Sequence, residues 1–251
     1  MKFAKRAATD GFRLSRRVGC VVAIVLVAMS PPDTSVAGAS PSSDPSGPAA
    51  TCPDVEVVFA RGTFEDPGVG TVGQAFTDAL RDRLHGQTVE VYGVDYPASL
   101  NFEEVSIGVA DAAHKIEGLS ASCPSTRIVL GGYSQGAAVA AYTTTDTLPP
   151  NVPVPDGLTG PVPSIVSEHV AALALFGLPD AWIMGLVAQG APPIVIGERY
   201  RSKMIELCAP GDPVCFPGGL DRGAHSAYVT NGMTKQAADF VADRVMARSM
   251  S

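Results

Sequence analysis

Short runs rich in Val, Ile and Leu recur along the chain, separated by stretches long enough to hold a helix. They are "VEVVFA" from Val55, "TVEVYGVDY" from Thr88, "TRIVLGG" from Thr126, "VAALALFG" from Val170 and "KMIELC" from Lys203. A strand with one wet face alternates apolar and polar residues; a strand covered on both faces does not. The five near-continuous runs therefore predict buried strands of a parallel sheet. In the first gap Val72, Phe76, Leu80 and Leu84 recur every fourth residue, and in the second Val105, Val109, Ala112 or Ala113, and Ile116 do nearly the same. Both patterns put one apolar stripe on a helix. A last helix is expected from about Thr234 to Ala247, with Ala237, Phe240, Val241 and Val245 on one face. Alternating strand and helix predicts a three-layer α/β/α sandwich, whose sites lie at the C-terminal ends of the strands.

Two regions break the alternation. Residues 148–168 carry six prolines and read as an irregular surface loop. Residues 177–200, "GLPDAWIMGLVAQGAPPIVIGERY", are apolar but interrupted by Gly and Pro, and include the single tryptophan, Trp182. Two readings stand for that stretch: a buried connection between strands, or an apolar rim or flap beside a site.

The beginning of the chain has a different character. Lys2, Lys5, Arg6, Arg13, Arg16 and Arg17 precede the apolar run "VVAIVLVAM", and Ala37-x-Ala39 follows as a cleavage motif before Ser40. Residues 1–39 thus read as a secretory signal peptide, taking Cys20 with them, and the run is too short for a stable membrane span. Residues 40–51 form a Pro/Ser-rich linker that need not fold, and the folded domain is expected over 52–251. The expected location is extracellular, either free or at the cell wall. Without the leader, 12 Lys and Arg face 23 Asp and Glu, a net charge of −11. A surface so acidic excludes nucleic acid as a partner.

Four cysteines remain: Cys52, Cys123, Cys208 and Cys215. In an exported chain an even number favours two disulfides, with three pairings open. A four-cysteine metal site needs two close pairs, and only one exists, so no metal is expected.

The stretch "RIVLGGYSQGAAVAAYTT" has the order of a nucleophile elbow: a strand, a serine between glycines, and a helix. Gly132 and Gly136 are the small flanks that let the turn around Ser134 close. Gly-x-Ser-x-Gly alone is weak, but its setting between strand and helix is not. A serine hydroxyl is a poor nucleophile without a base, and the base needs a carboxylate to orient it. Of the four histidines, His85 ends the first helix, His114 lies within the second and His169 starts a strand. His225, in "GLDRGAHSAYV" between the last strand and last helix, sits where a central serine can receive a base from a late loop. Asp212, inside "CAPGDPVC", is the favoured carboxylate, since a short ring would hold it in place; Asp221 is the main competitor and Asp180 a weaker one. Charge that builds on an ester oxygen needs fixed donors. The Gln135 N–H at the helix start and Thr63, in the loop after the first strand, are the candidates.

Together "GGYSQGA" at 131–137, "VVFARGT" at 57–63, "VYGVDYPA" at 91–98, "CAPGDPVC" at 208–215 and "AHSAYV" at 224–229 resemble the cutinase family, in particular its secreted actinobacterial members. The resemblance runs over about residues 52–248. It implies a minimal α/β-hydrolase fold with a five-stranded parallel sheet, a triad of Ser134, Asp212 and His225, and oxyanion donors at Thr63 and Gln135. It also implies the disulfides Cys52–Cys123 and Cys208–Cys215. The proline-rich and 177–200 segments look fuller than a minimal member requires.

The expectation is a monomeric serine carboxylester hydrolase acting through an acyl-enzyme, with no cofactor. Its implied substrates are short to medium chain fatty acid esters, with polyester, acylglycerol, phospholipid and thioester substrates as alternatives. Acetylxylan esterase activity fits less well, because aromatics are sparse. A serine peptidase would need an extended peptide groove that nothing marks. A non-catalytic surface module predicts a broken triad, and a dinucleotide-binding domain fails because the first strand leads into "ARGTFEDPG" instead of Gly-x-Gly-x-x-Gly.

Overall fold

A computed structural model of the chain describes residues 51–147 and 156–248. The proposed leader, most of the linker and part of the proline-rich stretch lie outside the described residues. Five parallel strands, β1 (Val55–Ala60), β2 (Val89–Gly93), β3 (Arg127–Tyr133), β4 (Val170–Phe176) and β5 (Met204–Leu207), form one sheet in the order β2-β1-β3-β4-β5. The α-helices among the described residues are α1 (Gly70–Arg81), α2 (Val105–Ser122), α3 (Gln135–Thr143), α4 (Ala181–Val187), α5 (Glu198–Arg201), α6 (Arg222–Ser226) and α7 (Met233–Arg248).

Strand side chains alternate between two cores, which makes the sandwich. Val55, Val57 and Phe59 of β1 point with Val129, Ala174 and Phe176 into a layer closed by Val72, Phe76 and Leu80 of α1 and Val241 and Val245 of α7. Phe59, Phe76 and Phe176 meet there with ring centroids 5.7–6.2 Å apart. Val58, Ile128, Leu130, Leu173 and Leu175 point the other way, against Ile116 of α2 and Val139 of α3. Both faces of β1, β3 and β4 are therefore dry, which is why those strands lack alternation in sequence, whereas the edge strands β2 and β5, expected to be buried, are only partly covered and expose Glu90 and Glu206.

Several expectations need correcting. β2 ends at Gly93, short of the full "TVEVYGVDY" run, and α1 ends at Arg81, so His85 lies beyond the helix it was expected to end. Residues 177–200 are not a buried connection: they contain α4 and the start of α5, and α4 leaves Trp182 67% exposed, with Leu186 and Val187 also outward. Met184 and Ala188 turn inward. Asp180 caps this helix by accepting the Ile183 N–H at 2.8 Å, and its own N–H donates to the Val214 carbonyl at 2.9 Å. His225 sits in helix α6 rather than in an open loop.

Two disulfides join Cys52 to Cys123 and Cys208 to Cys215, separated by 71 and 7 residues. The first lies just before β1 and β3, at the end of the sheet away from Ser134; the second encloses Asp212. Replacing Cys52 and Cys123 with serine is expected to cost about 4 kcal/mol and to leave kcat unchanged, while replacing Cys208 and Cys215 costs about 2.5 kcal/mol but lowers kcat. Thermal melts alongside ester turnover check this. Equal kcat losses in the two variants would show that the small ring does not hold Asp212.

Candidate active site

Ser134 lies between β3 and α3 with φ 55° and ψ −121°, a conformation that L-residues rarely adopt. The turn closes only because its flanks lack side chains. A Cβ on Gly132 would overlap the Gly136 carbonyl, and one on Gly136 would overlap the Ala60 carbonyl of the neighbouring strand. The Ser134 N–H donates to the Phe176 carbonyl at 2.8 Å, fixing the turn to β4.

His225 Nε2 stands 2.9 Å from Ser134 Oγ. Its Nδ1 lies 2.9 Å from each oxygen of Asp212. Asp212 has no solvent-accessible surface. Burial pushes its carboxyl up, but hydrogen bonds from His225, from the Tyr228 hydroxyl and from the Val214 N–H outweigh burial and hold it below the usual carboxylate range. The stability linked to that ionised carboxylate is present above its unfolded pKa and is lost as pH falls through the folded one. Gly177, at φ 59°, passes so close that a Cβ there would meet the Tyr228 hydroxyl, His225 Cε1 and an Asp212 oxygen at 3.0–3.4 Å.

The competing carboxylates have other work. Asp221 caps α6, accepting the Gly223 N–H at 2.8 Å, so it serves the helix that carries His225. Two of the other histidines bond elsewhere: His114 to the Gly157 carbonyl at 2.8 Å and His169 to the Pro124 carbonyl at 3.2 Å.

The Gln135 N–H begins α3, where no carbonyl one turn back can accept it. Its side-chain amide donates to the Ser99 carbonyl at 2.8 Å, while Oε1 is buried with no hydrogen-bond partner. Thr63 is half-buried in the loop after β1, the strand beside β3. That loop is cross-braced. Buried Arg61 donates to the carbonyls of Glu65 at 2.9 Å, Val94 at 3.3 Å and Tyr96 at 2.5 Å, and the Tyr96 hydroxyl returns a bond to the Arg61 carbonyl at 2.5 Å. The Glu65 carboxylate takes the N–H groups of Gly62 and Thr71, both at 2.7 Å. Phe64 and Ala98, at φ 66° and 51°, are the other two non-glycine residues with positive φ among the described residues, and the Phe64 N–H donates to the Ala98 carbonyl at 2.7 Å. Backbone strain of this kind persists only where surrounding bonds over-determine it.

Reading the sequence alone missed Arg61, Glu65 and two tyrosines. Tyr133, just before the serine, stacks on the His225 ring with centroids 5.0 Å apart and donates to the His225 carbonyl at 2.5 Å. Tyr228, three residues after the histidine, reaches Asp212. The available signals were the residue inside Gly-x-Ser and the spacing of three from His225, one helical turn. Among the described residues no cluster of His, Cys, Asp or Glu could hold a metal, and no helix is long and apolar enough to cross a membrane.

Comparison with known proteins gives a consistent result. The family model described as Cutinase matches residues 51–245. The chain is 44% identical over 233 residues to "Carboxylesterase Culp1" of Mycobacterium tuberculosis, covering 92% of this chain and 96% of that protein. It is 46% identical over 197 residues to "Phospholipase Culp4" of the same organism, covering 78% and 81%. Among solved structures, a Trichoderma reesei cutinase bound to a phosphonate inhibitor is 31% identical with a TM-score of 0.57, covering 77% of each chain.

Proposed function

The chain belongs to the cutinase family and is a serine-type carboxylic ester hydrolase, and from that premise we propose that it is a secreted enzyme that cleaves short to medium chain fatty acid esters through Ser134, His225 and Asp212. The observation that carries the role assignment is the unbroken hydrogen-bond chain from Ser134 Oγ through both imidazole nitrogens to the Asp212 carboxylate.

As Ser134 Oγ attacks the ester carbonyl, His225 Nε2 takes its proton. Asp212 keeps Nδ1 protonated, which leaves Nε2 free as the base, and its charge stabilises the imidazolium that forms. The developing oxyanion lies against the Gln135 N–H and Thr63, whose braced loop reorganises little as charge builds. The imidazolium then protonates the departing alcohol. Water, deprotonated by His225, attacks the acyl-enzyme, and the collapse of the second tetrahedral intermediate returns the acid and free Ser134.

The acyl preference rests on uncharged surroundings. Residues 181–197 carry no charged side chain, and Trp182, Leu186 and Val187 are outward on α4. Export is supported by the basic, apolar and small-residue pattern of residues 1–39 and by the two disulfides, which persist in an oxidising compartment. Phospholipid hydrolysis is the second reading, favoured by 46% identity to a relative named a phospholipase.

The test is turnover by the 40–251 protein of p-nitrophenyl acetate, butyrate, octanoate and palmitate, with phosphatidylcholine vesicles as a parallel substrate. The expected profile peaks at butyrate or octanoate. A peak at palmitate, or faster release from phosphatidylcholine, would replace the first reading with a lipase or phospholipase.

A further inference from the structure

Tyr228 has no solvent-accessible surface and sits edge-on to Phe176, Tyr133 and His225. A phenylalanine would fill that space equally well, so the hydroxyl is what needs explaining. A buried phenol must find partners, and this one has three. It accepts the Ala209 N–H at 3.2 Å, touches Cys215 Sγ at 3.4 Å, and donates to Asp212 Oδ2 at 2.6 Å. Its pKa is raised, first by burial and then by the Asp212 bond, so it stays protonated and remains a donor.

We propose that the Tyr228 hydroxyl is a positioning residue that fixes the orientation of Asp212 and sets how much of its negative charge reaches His225. The inference rests on the triad roles proposed above. Asp212 has two fixed donors besides the histidine: the Val214 N–H on Oδ1 and Tyr228 on Oδ2. The two hold the carboxylate plane from opposite oxygens, with His225 Nδ1 equidistant between them. Each donor also withdraws charge from the carboxylate. With Tyr228 donating, the imidazole faces a weaker anion and gains a proton less readily. Without it, the imidazolium is stabilised more and the carboxylate is free to turn.

The other groups facing the pair are few. Ser134 and Tyr133 approach from the end of β3, and Glu65, on the loop after β1, acts electrostatically on Tyr133. Cys215, in the loop after β5, is held in a disulfide and does not titrate, and Gly177 after β4 adds no side chain. Tyr228 is therefore the one side chain besides His225 that is hydrogen-bonded to the Asp212 carboxylate among the described residues.

The test is the pH dependence of kcat/KM for p-nitrophenyl butyrate in wild type, Tyr228→Phe and Tyr92→Phe, with Ser134→Ala as the blank. In Y228F the acid limb is expected to move to higher pH by about half a unit or more, and kcat to fall about tenfold. Y92F removes a phenol on β2 that donates to Asp111 at 2.9 Å, touches none of the triad, and is expected to leave the limb in place. Site-specific 3-fluorotyrosine at position 228, a more acidic and stronger donor, should move the limb the opposite way from Y228F, and it serves if Y228F fails to fold. An unmoved limb in both position-228 proteins, with wild-type turnover still dependent on Ser134, would reduce Tyr228 to packing and leave the esterase intact. Wild-type turnover that survives in S134A would instead remove the triad roles themselves.

Discussion

Ser134→Ala loses ester turnover by about 10⁵- to 10⁶-fold in kcat and stays folded. Among the described residues Ser134 Oγ makes one hydrogen bond, to His225 Nε2, so removing it deletes the nucleophile and leaves no buried group stranded. The costly feature of the position is the backbone at φ 55°, and alanine bears that cost about as serine does. The bonds that close the turn, from the Ser134 N–H to the Phe176 carbonyl and from the Ala137 N–H to the Ser134 carbonyl, are main-chain and persist. The change in stability is expected within about 1 kcal/mol. Circular-dichroism melts paired with p-nitrophenyl butyrate hydrolysis read both quantities. A folded S134A protein that retains full turnover would move the nucleophile elsewhere.

The second large effect separates two aspartates. Asp212→Asn is expected to lower kcat by about 10⁴-fold, because an amide can present an N–H to Nδ1 and so leave the imidazole in the wrong tautomer. It also strands one of the inward donors from Tyr228 or Val214 against an NH₂ group, so the melting temperature should fall as well. Asp221→Asn should be near wild type, since asparagine caps a helix as well as aspartate does. Asp221→Ala, which removes the bond to the Gly223 N–H, is expected to cost about 1 kcal/mol and to loosen α6. If D221N lost more turnover than D212N, the carboxylate assignment would pass to Asp221.

What the sequence discloses follows from how local each interaction is. The strands were legible because a sheet covered on both faces needs nearly unbroken apolar runs, and α1 and α2 because each repeats one face over several turns. Ser134 was legible because strand, turn and helix are contiguous. The site's long-range parts were not. Arg61 looks like a surface charge until β2 brings the carbonyls of Val94 and Tyr96 beside it. Tyr133 and Tyr228 look like core aromatics until the fold brings β3, the Cys208–Cys215 ring and α6 to one point. The helices α4 and α6 are too short to show a period, and α4 is apolar on its outward side too, so no stripe marks it. Asp221 competed with Asp212 on sequence separation from His225. The folded chain distinguishes them by direction: one points into the imidazole, the other caps its helix.

The Cys52–Cys123 link also bears on how fast the chain finds its fold. β1 must pair on one side with β2, the next strand in sequence, and on the other with β3, which is farther along the chain, so that Val55 lies opposite Arg127 across the whole of α1, β2 and α2. Such pairings are slow because an unfolded chain must search out a large loop closure before any contact rewards it. A covalent link three residues before β1 and four before β3 makes that search once, during oxidation, and preserves its result. An oxidised chain that transiently unfolds starts its return with the central strand pair already joined, so it should refold faster than the reduced chain and expose its apolar strands for less time.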